Sequence, residues 1–295
     1  MTSKKLLIFL ALAFILGWGF QGLAITGGLT AGGRSNWLIG AMWSPMLAAL
    51  LTGSDTRKQV WMRVKRIGWK FWPLALVVGW SFGIVSQLLL AVMQQGHWNA
   101  DMFRLTGNHG SIDSIHHVAM LLGSGQQGYG FFALNIVLSI CLGSLITMVL
   151  LAIGEEGGWR GVLQPELERR FGAFKGTLLV GLIWGYWHLP VNLAGFNDAQ
   201  HPVLQTFIIF PLETVAMAFA LAWLVRCTGS IWPGALAHAA NNVLQSGPLM
   251  VPNNWQMDQL TSILSALAIG SIFAWLLLRL KSTAANRLSS SLADS

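Results

Sequence analysis

Long apolar blocks, rather than a regular alternation of apolar and polar positions, organise this chain. Eight of them approach or reach the roughly 20 mostly apolar residues that a helix needs to cross a bilayer: 6–25, 37–52, 71–93, 131–153, 176–194, 203–225, 231–244 and 260–280. The second and seventh are short, which suits helices packed inside a bundle. Small residues within the blocks, among them Gly17, Gly19, Gly79 and Gly83, allow the close helix approach of membrane proteins. The pattern predicts an all-α, polytopic transmembrane helix bundle of about eight spans. It reads as a single helical domain over 1–281, followed by a flexible tail, rich in Ser and Ala, at 282–295. The first block follows two lysines, but no small-residue cleavage site closes it, so it is expected to be retained rather than removed as a signal peptide.

Composition strengthens this picture. Apolar residues make up 54% of the chain and charged residues 10%, against about 25% charged in soluble domains. Charge this sparse would not cover a water-facing surface. The net charge of +7 raises the question of nucleic acid, and the placement of the charges answers it. With the N-terminus inside, every Lys and Arg except Arg34 and Arg104 falls in an inner segment, the bias that orients membrane proteins. Both termini are therefore expected in the cytoplasm. The expected surroundings are a lipid bilayer, that of a bacterial inner membrane, and not nucleic acid. Cys141 and Cys227 lie in or beside apolar blocks and read as small buried residues; no Cys pair has zinc-ligand spacing. The outer connection 94–128 carries Asp101, Asp113, His97, His109, His116 and His117. Metal ligands must converge in defined geometry, and nothing in the spacing does so, so this stretch reads as a solvated loop. No internal repeat of the kind common in transporters is visible.

Ionisable residues inside membrane spans are costly and are functional candidates by default. Three short stretches contain them, with Glu213 standing apart in the sixth block. In Glu155-Glu156-Gly157-Gly158-Trp159-Arg160, a continuing helix places Glu156 and Arg160 four apart on one face, acid before base. Glu155 then points about 100° away. Two identical side chains thereby acquire different partners; the alternative is an interfacial charge cluster that anchors a helix end. The second stretch is Trp184-Gly185-Tyr186-Trp187-His188, followed by Pro190. Trp184 precedes His188 by one turn and is a candidate wall for a substrate pocket; a packing role for His188 is the plainer reading. In the third, His238 and Asn242 are four apart and share a face. Both can donate to a developing oxyanion, or serve as an interhelical polar clamp. Asn241 points elsewhere. Glu213, two residues after Pro211, has no assigned role.

Taken together, E-E-x-x-x-R, then aromatic-x-x-x-H, then H-x-x-x-N, each on its own helix, resemble the CPBP family: type II CAAX prenyl endopeptidases, bacteriocin-processing and immunity proteins, and related glutamic intramembrane proteases. The resemblance covers 155–242 within a family-like core of about 131–245, and includes the run Arg226-Cys227-Thr228-Gly229-Ser230-Ile231-Trp232-Pro233. Trp184 departs from the pattern, since the family usually has Phe there. The resemblance implies that Glu155 activates water with the help of His188, that His238 and Asn242 stabilise the oxyanion, and that Glu156 and Arg160 support them. It further implies peptide-bond hydrolysis in a membrane-tethered peptide or protein substrate, near an embedded or lipid-modified segment, without a metal or cofactor.

Three other readings compete. Glu155, His188 and His238 are ligand types that suit zinc, although H-E-x-x-H is missing. A non-catalytic immunity or scaffold protein would use the same fold, and a transporter would use Glu155, Glu213 and His188 as a proton relay. The span boundaries also conflict with the chemistry. At 1.5 Å per residue, Glu155 lies at the inner surface while His188 is about 20 Å in from Lys175. The two meet only if the fourth helix runs on past Arg160.

Overall fold

The computed structural model describes residues 1–29, 35–112, 114–115, 118–245 and 249–293. Its helices, in chain order, are α1 (Ser3–Thr26), α2 (Asn36–Thr52), α3 (Ser54–Val64), α4 (Trp72–Val92), α5 (Tyr129–Thr147), α6 (Ile153–Gly158), α7 (Gln164–Trp187), α8 (Leu189–Leu193), α9 (Pro202–Leu204), α10 (Phe210–Thr228), α11 (Trp232–Gln245) and α12 (Trp255–Ala293). All eight expected blocks are helical. Five helical stretches are long and apolar enough to cross a membrane: Ser3–Thr26, Trp69–Val92, Tyr129–Trp187, Pro202–Thr228 and Trp255–Leu280. The third of these holds two expected spans, and α2 and α11 are the short ones. The backbone of α12 continues as helix past Lys281, where the sequence suggested a flexible tail.

The fourth span does not end at Ile153. Helix continues from α5 into α7 through two wider, i→i+5 turns at Met148–Ala152 and Trp159–Leu163. It is interrupted only at Gly172, whose φ of 80° lies in the left-handed region that glycine tolerates. The apolar count stopped at 153 because two carboxylates, an arginine and two glycines follow, and composition does not reveal that they are buried. The fifth span, by contrast, breaks earlier than expected, at His188, ahead of Pro190.

The helices gather into two compact units, each assembled from segments distant along the chain. One comprises Met1–Ile67, Gly154–Ile231 and the C-terminal part of α12 from Ala266. Here α1 packs along α2, and α7 along α10. Glycines set how closely these helices approach: a Cβ at Gly158 would lie 2.4 Å from Pro45 Cβ on α2, and one at Gly181 would lie 2.5 Å from Val215 Cα on α10. Gly17 admits the ring of Trp187, whereas Gly19 faces open space and has no such role.

The other unit comprises Gly68–Ile153 and Trp232–Ser265. α11 crosses α4 at Gly79, where a Cβ would meet the Ala237 carbonyl at 2.2 Å, and Gly83 receives Leu244. The connection read as a solvated loop is folded. Its strands β1 (Gly96–Trp98), β2 (Arg104–Thr106), β3 (His109–Ser111), β4 (Ser114–Ile115), β5 (Val118–Ala119) and β6 (Gln127–Gly128) form short antiparallel pairs; β1 joins β7 (Met250–Pro252). Phe103, Ile112 and Met120 pack with Phe132 and Val243 into a small core. Hydrophobic residues spaced across a polar stretch supplied this core unnoticed. Asp113, His116 and His117, considered above for metal binding, lie outside the described residues.

Large apolar side chains such as Leu7, Ile15, Val77, Val92 and Val137 are exposed along the helices. That is the expected outer face of an integral, multi-pass membrane protein, whose solvent is lipid. Neither cysteine is buried: Cys141 is half-buried and Cys227 exposed at the last turn of α10. The expectation failed because an apolar block has a lipid face as well as an inner face.

Candidate active site

Glu155 and Glu156 lie between the two widened turns and Arg160 within the second, and all three are essentially inaccessible. An interfacial anchor would be exposed. Gly154, Gly157 and Gly158 make the burial possible, because α2 approaches their backbone through Met42, Trp43, Pro45 and Met46. Widened turns rotate the side chains that follow them and recur at functional sites.

The predicted pairing of Glu156 with Arg160 is present: Arg160 Nη1 donates to Glu156 Oε1 at 3.2 Å. The guanidinium also lies over the indole of Trp184, 4.6 Å from the ring centroid, a cation–π contact that partly replaces lost hydration. Glu155 takes different donors. Its Oε2 accepts the indole N–H of Trp184 at 2.5 Å and that of Trp159 at 3.4 Å. The two carboxylates therefore differ in kind: an arginine holds one, and neutral indoles hold the other.

His188 terminates α7. Its Nδ1 lies 3.0 Å from the Trp184 carbonyl. A carbonyl only accepts, so Nδ1 carries the hydrogen, and in the neutral tautomer this leaves the lone pair on Nε2. Trp187 and Phe210 hold the ring edge-on, with centroids at 4.7 Å and 4.9 Å. Trp184 thus joins the first two motifs: its side chain donates to Glu155 and its backbone accepts from His188. Glu155 and His188 both reach Trp184 because helix runs on past Arg160 and breaks only at Gly172.

The same unit contains contributors that sequence reasoning missed. Trp159 and Trp187 are fully buried and stack edge-to-face at 5.9 Å, with Phe9 of α1 beyond Trp159. Their spacing from Glu155 and His188 was visible, but fifteen Trp in the chain make any one of them uninformative. Glu213, in the first turn of α10, is half-buried.

In the other unit, α11 carries His238, 6% exposed, and Asn242, half-buried, one helical turn apart. Asn241 is itself buried. The position of α11 on Gly79 and Gly83 of α4 fixes which of its faces is turned inward. Among the described residues, no three His, Cys, Asp or Glu side chains gather as a metal-ligand set.

Fold and site define an all-α, multi-pass membrane protein with a buried glutamate–tryptophan–histidine linkage. Residues 136–244 match the family described as type II CAAX prenyl endopeptidase Rce1-like. This segment contains Glu155, Glu156, Arg160, Trp184, His188, His238 and Asn242. The chain is also 31% identical over 84 residues to CAAX prenyl protease 2 of Methanococcus maripaludis. That alignment covers 27% of this chain and 31% of the relative's length.

Proposed function

We propose that the protein is an intramembrane endopeptidase that hydrolyses a peptide bond in a membrane-tethered substrate, near an embedded or lipid-modified segment. The observation that carries this reading is the Glu155–Trp184–His188 linkage, buried within the Rce1-like segment. Glu155 takes a proton from water as the water oxygen attacks the scissile carbonyl carbon. His188 orients that water through Nε2, the nitrogen its Nδ1–H···O=C bond leaves as the proton acceptor. The carbonyl oxygen becomes an oxyanion, to which His238 and Asn242 donate; such donors act more strongly away from bulk water. Collapse of the tetrahedral species breaks the C–N bond, and the proton held by Glu155 passes to the departing amine. Glu156 and Arg160 set the orientation of the helix that presents Glu155. A prenylated CAAX tail, the substrate type in the relative's name, is one substrate of this class.

The test compares purified wild type with Glu155→Gln and His238→Ala on a panel of membrane-tethered peptides, with and without chelator. Both variants should lose cleavage while staying folded. Unchanged cleavage in both would overturn the proposal. Wild-type activity abolished by chelator and restored by zinc would replace the metal-free mechanism with the zinc one.

A further inference from the structure

The hydrogen bonding where α7 meets α8 is incomplete without a residue from α1. Pro190 offers no N–H. In an unbroken helix the N–H of Val191 would return to the carbonyl of Trp187. Here it is directed at Gln21 Oε1, 3.4 Å away. The Trp187 carbonyl accepts instead from Gln21 Nε2 at 3.0 Å and from Trp18 Nε1 at 3.0 Å. The carboxamide of Gln21 therefore stands inside the broken turn, its donor on the orphaned carbonyl and its acceptor toward the orphaned N–H. Gln21 is 1% exposed, and a buried amide is stable where both ends find partners.

His188 is the residue next to the bridged carbonyl. Its backbone has left the helix, with φ −83° and ψ 5°. Its N–H reaches back to Gly185 at 3.1 Å, and its carbonyl accepts from Asn192 at 3.1 Å. The direction of its Cα–Cβ bond is set by this break, not by a regular helix. Trp187, which walls the imidazole, is tied to the same helix: its indole N–H donates to the Ala13 carbonyl at 3.0 Å.

We infer that Gln21 is a positioning residue for His188: its amide splints the α7–α8 break and so fixes where the imidazole points. Gln21 lies outside the Rce1-like segment, so the first span is part of the machinery that segment carries. The kinetic consequence rests on the proposed role of His188; the structural one does not.

The experiment uses full-length protein in nanodiscs with ring-15N histidine, the His188 signal being assigned by its loss in His188→Gln. Gln21→Met keeps the length and removes the amide; Gln21→Glu keeps the acceptor alone. In Gln21→Met the His188 ring signals and their titration midpoint should move. On a cleaved membrane-tethered peptide, kcat should fall about tenfold with KM unchanged, since small misplacements of reacting groups cost up to about 10²-fold. Gln21→Glu should restore part of both. A folded Gln21→Met with wild-type ring signals and midpoint overturns the inference, whatever its rate. If Gln21→Met does not fold, wild-type ring signals in Gln21→Glu overturn it instead. Wild type that cleaves no peptide would defeat the protease reading, while the His188 signal would still decide the role of Gln21.

Discussion

Two stretches of one helical run, barely two turns apart, use the same residue types to opposite ends. At Glu166 a carboxylate meets three cations: Arg169 at 2.7 Å, Arg170 at 2.6 Å and the N-terminal ammonium at 3.2 Å. Such a group is an ionic clamp with no capacity left for chemistry. At 155–160 a single guanidinium serves two buried carboxylates, and it bonds to Glu156 alone. Glu155 accepts its side-chain hydrogen bonds from two neutral indoles. What separates a clamp from a candidate base here is the identity of the donors, since both carboxylates are almost completely buried.

The comparison breaks most sharply through paired substitutions. Glu155→Gln should lower peptide cleavage by about 10²–10⁴-fold, the range of a lost general base, with unfolding temperature near wild type. Glu166→Gln should do the reverse, keeping the rate per folded molecule and lowering the unfolding midpoint in detergent. Equal kinetic losses in the two variants would erase the distinction.

Next in size is the buried ion pair. Arg160→Leu removes the guanidinium bonded to the buried Glu156 and should destabilise the protein by about 3–5 kcal/mol. Adding Glu156→Leu should recover most of that loss. Denaturation of the single and double variants measures the difference.

A smaller effect sharpens the indole side. Trp184→Phe keeps an aromatic ring and removes one N–H from Glu155, while Trp159 keeps donating. Turnover should fall about tenfold, as expected for one charge-assisted hydrogen bond. Addition of Trp159→Phe should deepen the loss.

The smallest effect belongs to an exposed pair outside the site. The hydrogen bond from Lys5, followed by its charge, holds the Asp55 carboxyl below the usual carboxylate range. A depressed folded pKa means the pair stabilises above the ordinary carboxylate pKa and stops doing so as pH falls through the lowered value. Unfolding midpoints of wild type and Asp55→Asn should therefore differ slightly near neutral pH and converge in acid. High salt should close the gap at any pH.

Much of this was legible from residue order alone. Runs of apolar residues determined the all-α membrane architecture, because lipid leaves the backbone no alternative to internal hydrogen bonding. Spacing of four determined the Glu156–Arg160 pair, because the helical repeat places i and i+4 on one face. Gly79 and Gly83 could be recognised as close-packing positions for the same local reason. Gly154-x-x-x-Gly158 carried that signal too, beside the charged residues it helps bury.

Only tertiary structure decided the remainder. Which carboxylate receives indoles depends on Trp184 arriving from the far side of the Gly172 break. The widened turns that flank Glu155 have no local repeat that marks them in the sequence. Gln21 serves a break in the backbone some 170 residues away in sequence, and an isolated glutamine in an apolar helix has no pattern to betray it. The division into two units likewise comes from segments far apart along the chain. Local periodicity is a property of neighbours, whereas hydrogen-bond partners across helices are set by how the helices pack, and only the folded chain specifies that.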